Sequence, residues 1–120
     1  MSSITKKTFK EGDYIFFEGD LETHFYIIES GTVKIFTKNR MGQRVEIAKF
    51  GAGETFGEFA LIDQGARSAS AVASTEVKVL QVSEEGYQTM LADLPVWAAS
   101  MLKSFMLRLK RMNDVLKMNE

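Results

Sequence analysis

The sequence predicts a mainly β fold with C-terminal helices, a sandwich or jelly-roll-like barrel followed by two helical segments. Short segments rich in β-branched and aromatic residues fill the first two thirds of the chain, and glycine-centred turns separate them. After Ser83 the composition shifts to Met, Leu and Ala, residues that favour helix.

Residues 25–28, 33–38, 45–50, 69–73 and 77–82 read as strands, and several of them alternate apolar with polar positions. Glu11-Gly12-Asp13, Glu18-Gly19-Asp20, Glu29-Ser30-Gly31, Met41-Gly42-Gln43 and Gly51-Ala52-Gly53 each supply a residue that tolerates positive φ. The β portion is expected over residues 8–82 and the helices over 84–118. Ser83-Glu84-Glu85 reads as the start of a first helix reaching residue 91. Pro95, the one proline, suits the first turn of a second helix with Asp93 as its cap, running on to the chain end. A chain of 120 residues is expected to form one domain, 1–120.

On the second helix Leu102, Phe105, Leu109, Met112 and Leu116 recur at spacings of three, four, three and four. Such a stripe must be covered. Two readings stay open: it packs on the chain's own β portion, or it pairs with a second copy in a parallel homodimer through the 98–118 helix.

Composition removes several classes of function. The chain is 45% hydrophobic and 26% charged, as ordinary globular proteins are. With no cysteine and one histidine, His24, it has no thiolate ligands, disulfides or clustered metal ligands to offer. No nucleophile–base pair stands out, so an enzyme is not expected. Net charge is −1 and the basic residues are scattered, which argues against direct nucleic-acid binding. No leader-like or membrane-spanning apolar run is present, so the expectation is a cytoplasmic protein without a membrane partner.

The chemistry concentrates in Phe56-Gly57-Glu58-Phe59-Ala60-Leu61-Ile62-Asp63-Gln64-Gly65-Ala66-Arg67-Ser68-Ala69-Ser70. Gly57 followed by Glu-Phe-Ala-Leu suits a single helical turn whose free N–H groups favour an anion, and a glycine lets a ligand approach the backbone. Arg67, nine residues after Glu58, offers a planar fork of donors that matches two phosphate oxygens and keeps its charge. Glu58 would be repelled by a phosphate but can accept a hydrogen bond from a sugar hydroxyl.

This segment resembles the phosphate-binding cassette of the cyclic-nucleotide-binding domain family, which includes protein kinase A regulatory subunits, nucleotide-gated channels and catabolite-activator-type proteins. The likeness rests on Phe-Gly-Glu, Ala-Leu, and Arg followed by Ser-Ala-Ser, and extends to the Gly-Asp-Tyr-Ile-Phe-Phe-Glu-Gly run and to Phe25-Tyr26-Ile27-Ile28 with Gly31. The resemblance implies an eight-stranded jelly-roll-like β-roll with a short phosphate-cassette helix and two C-terminal helices. By the same resemblance Gly57 and Ala60 would make backbone contacts, Glu58 would take the ribose 2′-hydroxyl, and Arg67 with Ser68 the cyclic phosphate. Phe59 and Ala69 complete the cassette set, Ile35, Ile47 and Phe50 would form the wall against the base, and Met112 and Asn113 would reach the adenine edge.

The implied ligand is cyclic AMP, since Ser68 stands where cyclic-GMP-dependent kinases carry threonine; cyclic GMP remains open. The implied role is a regulatory sensor that passes binding to its C-terminal helices, with Phe59, Leu61 and Leu91 as relays and an effector the sequence does not identify. The alternative is a degenerate fold acting as a dimerisation module without nucleotide. Ala66 departs from the proline that many kinase-type cassettes carry there. These 120 residues hold no counterpart of the activators' DNA-binding domain, so the resemblance does not extend to transcription.

Overall fold

The computed structural model describes residues 4–61 and 66–118. Among them are eight strands: β1 (Ile4–Phe9), β2 (Tyr14–Phe16), β3 (Phe25–Ser30), β4 (Val33–Lys38), β5 (Arg44–Phe50), β6 (Thr55–Phe56), β7 (Ser70–Ala73) and β8 (Val77–Val82). A single 3-10 turn, Glu58–Leu61, lies between β6 and β7, and two helices follow β8: α1 (Glu84–Ala92) and α2 (Val96–Met118). The strands form two four-stranded antiparallel sheets, in the orders β1-β8-β3-β6 and β2-β7-β4-β5. The expected mainly β roll with a short turn and two C-terminal helices is the architecture found.

The inner faces of both sheets bury one cluster in which Ile28, Val33, Val77 and Val79 are almost fully covered. Each such side chain contributes roughly 1.5–3 kcal/mol when taken out of water. The small side chains of Ala69, Ala71 and Ala73 share this cluster with three rings, Phe16, Tyr26 and Phe56. Tyr26 stacks on Phe56 at 5.0 Å between centroids, and Phe16 sits 6.0 Å from each. Two of those rings come from the first sheet and one from the second, so the aromatic cluster ties the sheets together beside the 3-10 turn.

The β portion begins earlier than residue 8. Ile4 pairs with Val82 and the ladder runs to Phe9 opposite Val77. Residues 5–8 of this strand are exposed, so β1 is held by backbone hydrogen bonds to β8 and leaves no apolar period to read.

Helix α1 starts as expected. The Ser83 hydroxyl accepts a hydrogen bond from Gly86 N at 3.0 Å, and Tyr87 meets Phe25 edge to face at 6.1 Å. The start of α2 differs from the expectation. Asp93 closes α1, its N–H bonding Leu91 O and Met90 O, while the Pro95 carbonyl accepts from Ala98 N and Ala99 N. Pro95 therefore lies just before the helix, which runs from Val96, and an aspartate already used as a C-cap is two residues too early to cap it.

The apolar stripe of α2 does not pack on the β-roll. Leu102, Phe105, Leu109 and Met112 are all exposed, whereas Met106 is the buried residue among the described side chains of α2, along with Leu91 of α1. At about 100° per residue, Met106 borders the stripe on the side of Leu102 and Leu109 and lies furthest from Phe105 and Met112, so burial reaches only one edge of the stripe. The side chain of Leu116 lies outside the described residues. No helix among the described residues is long and apolar enough to cross a membrane.

Candidate functional site

Arg67 is held at both its backbone and its side chain. Its N–H donates to Asp20 O and its carbonyl accepts from Gly19 N, both at 2.8 Å, which locks the start of β7 to the loop between β2 and β3. The side chain turns inward and is only 7% exposed. Nη1 donates to Gly57 O at 2.9 Å and Nη2 to His24 O at 2.5 Å, while the guanidinium lies 4.1 Å above the Phe16 ring. Glu22 completes this arrangement: its Oε2 stands 3.6 Å from Nη2, an ion-pair distance too long for a hydrogen bond.

Gly57 is needed for this geometry. Its φ of +78° is one that side chains resist, and a Cβ there would come within 2.9 Å of Arg67 Nη1. The glycine thus lets the turn at Glu58 approach the guanidinium closely enough to share a carbonyl with it.

Burial sets the electrostatics. It pushes the Arg67 guanidinium down from its ordinary value, opposed by Tyr26, Glu22 and Asp20, yet an arginine keeps its charge near neutral pH. The Tyr26 hydroxyl is pushed up to about 12, first by burial and then by the carboxylates of Glu22 and Asp20, with Arg67 acting the other way. Two buried atoms, Arg67 Nε and Glu22 Oε2, have no hydrogen-bond partner among the described residues. A guanidinium has five N–H donors, so capacity remains for a further acceptor beside the turn.

The sequence-derived site residues divide. Gly57 and Arg67 touch, and Glu58, half-buried, opens the 3-10 turn next to them. Phe59 and Ala60 belong to that turn, but their side chains lie outside the described residues, as does that of Asn113 on α2. Ser68 is exposed and Ala69 buried, at the entry to β7. Of the three wall candidates, Ile35 is part of the sealed core and Phe50 packs partly against it. Ile47, 57% exposed, sits on the edge strand β5. Met112 is 63% exposed near the end of α2. The sequence did not mark Glu22, Asp20, Phe16, Tyr26 or the His24 carbonyl. They reach Arg67 only because the loop after β2 folds across the start of β7, and no local spacing carries that signal.

Comparison with known proteins places this chain in a family. The model of the cyclic nucleotide-binding domain family matches residues 6–93, and the chain belongs to that family. A cyclic AMP receptor protein of Thermus thermophilus is 36% identical over 110 residues, which is 92% of this chain and 51% of the relative. The crystal structure of a Thermus thermophilus catabolite activator protein superposes with a TM-score of 0.77 at 34% identity, covering 97% of this chain and 55% of that one. An EAL enzyme in its cAMP-bound form superposes with a TM-score of 0.71 at 29% identity, covering 96% of this chain and 30% of that one; its cGMP-bound form gives 0.71 at 29%, covering 92% and 30%. The chain spans about half the length of the cyclic AMP receptor and CRP-like relatives it matches.

The Tyr26 environment has a consequence for stability. The folded chain holds this proton up to about 12 whereas a free tyrosine releases it near 10, so folding binds the proton more tightly. The resulting stabilisation is present in full below about pH 10 and is lost as pH rises from about 10 to 12. Urea unfolding of the wild type and Tyr26→Phe from about pH 9 to about pH 11.5 should show an extra alkaline loss in the wild type alone. Tyr87, also pushed up by burial, is common to both proteins. Parallel pH dependences would contradict the assignment.

Proposed function

We propose that the chain, residues 1–120, is a regulatory domain that binds one cyclic mononucleotide, cyclic AMP in preference to cyclic GMP, and is not itself an enzyme. The observation that carries the reading is the buried guanidinium of Arg67 beside the turn at Gly57, with donor capacity to spare. In this reading Arg67 and Ser68 hold the cyclic phosphate. Glu58 accepts from the ribose, and the backbone of Gly57, Phe59, Ala60 and Ala69 closes around both. The similar EAL enzyme has cAMP-bound and cGMP-bound forms, which supports a cyclic nucleotide without choosing the base. Ser68 is the reason for preferring adenine. Ile47, Phe50, Met112 and Asn113 remain the proposed base contacts. Ile35, sealed in the core, supports that wall from behind.

Binding acts on the helices through the 3-10 turn. Leu61, its last residue, lines a groove with Tyr87, Leu91, Met106 and Leu107, so in this reading a shift of the turn reshapes the groove it shares with α1 and α2. The exposed stripe on α2 is the surface for a second copy, in a homodimer formed through residues 98–118. We place the protein in the cytoplasm, without a membrane or nucleic-acid partner of its own.

Calorimetric titration of the wild type and Arg67→Ala with cyclic AMP and cyclic GMP tests the ligand. The substitution should weaken binding by on the order of 3 kcal/mol, since it leaves the bound anion unpaired in a partly dry site; an unchanged affinity would refute the site. Hydrogen exchange should show altered protection in residues 84–118 on adding nucleotide, and unaltered protection would remove the proposed relay. Sedimentation of Phe105→Glu should give monomers where the wild type gives dimers; identical behaviour of the two would discard the stripe as an interface.

A further inference from the structure

Arg67 already has an ionic partner within the protein, and that partner is a carboxylate. Glu22 Oε2 lies 3.6 Å from Arg67 Nη2, inside the protein and without a hydrogen bond among the described residues. An anion in that position needs the guanidinium, and the guanidinium already has two carbonyls as hydrogen-bond acceptors. The pair is therefore electrostatic more than geometric.

We propose that Glu22 is a specificity-determining residue that tunes the Arg67 site to a singly charged phosphodiester and against the doubly charged phosphomonoester of an ordinary nucleotide. The inference rests on the reading of Arg67 as the cation that meets the ligand's phosphate. A cyclic phosphodiester carries one negative charge, whereas a phosphomonoester carries about −1.5 to −2 near neutral pH. Arg67 can balance one charge. With Glu22 beside it, each further negative charge on the ligand meets net repulsion.

The carboxylate cannot simply withdraw when a ligand enters. Its loop is tied to Arg67 by the bonds from Gly19 N, to Asp20 O and to His24 O, so only the side chain can move. The side chain is 39% exposed, enough to turn towards water but not to leave electrostatic reach. Two unit charges about 6 Å apart, at an effective dielectric between those of protein and water, change an affinity by roughly tenfold or more. That factor falls once on a cyclic phosphate and nearly twice on a monoester. The site thus tells the two apart by charge as well as by shape.

The test uses three adenosine ligands: cyclic AMP, 5′-AMP, and the monomethyl ester of 5′-AMP, which keeps the open phosphate but carries one charge. Affinities are measured calorimetrically for the wild type, Glu22→Gln and Arg67→Ala, with thermal melting to confirm that each variant folds. Glu22→Gln should bind cyclic AMP and the methyl ester severalfold more tightly and 5′-AMP more tightly still. Its preference for the methyl ester over 5′-AMP should fall roughly tenfold. An unchanged preference, or no detectable 5′-AMP binding to Glu22→Gln, overturns the role of Glu22 while leaving the site intact, provided Arg67→Ala loses cyclic AMP. Cyclic AMP binding that survives Arg67→Ala, or a wild type that binds none of the three, overturns the underlying reading as well.

Discussion

A guanidinium buried beside the β-roll core is the constraint on which this molecule is organised. Placing a fixed charge there is costly unless acceptors surround it, and the chain supplies them from three separate places in its sequence. Gly57 and His24 give carbonyls, Glu22 gives a carboxylate, and Phe16 gives the negative face of its ring. Each of these has to be positioned within a few ångströms of Arg67. The positive φ of Gly57, the crossing of the β2–β3 loop over β7 and the aromatic cluster beneath them all follow from that requirement.

The β-roll meets the requirement because its sheets bring distant segments to one edge. Phe16 ends β2, Phe56 ends β6 and Tyr26 lies in β3, yet their rings pack together. Arg67 rests on this platform at the point where the chain enters β7. Here the strands supply rigidity and the loops supply chemistry, as is usual where a scaffold carries a site on its connections. The 3-10 turn that follows Gly57 faces two ways, to Arg67 through the Gly57 carbonyl and to α1 and α2 through Leu61. The turn thus adjoins both the buried guanidinium and the groove that α1 and α2 line.

The helices themselves are loosely committed to the roll. Met106 is buried, but the apolar line from Leu102 to Met112 is left in water. The helix is thus covered along one edge of its apolar surface and open along the rest. The region that the family model matches, residues 6–93, takes in the roll, the turn and α1 and ends before α2 begins.

Much of this was legible in the residues alone. Alternation and glycine punctuation located the central strands, Ser83 marked the first helix, and the order Gly57, Glu58, Arg67, Ser68 marked the chemistry, because strand period, capping and donor geometry are local properties. The sequence by itself thus determined the β class, the helical end and the glycine–arginine pair around which the candidate site is built. Tertiary structure decided the rest. It made β1 a strand through pairing with β8, placed Pro95 outside α2, turned the Leu102–Met112 line away from the roll, and set Glu22 against Arg67 across 45 positions of sequence. The physical reason is the same in each case: these outcomes depend on which distant backbone or charge lies opposite, and no periodicity within one segment encodes its partner.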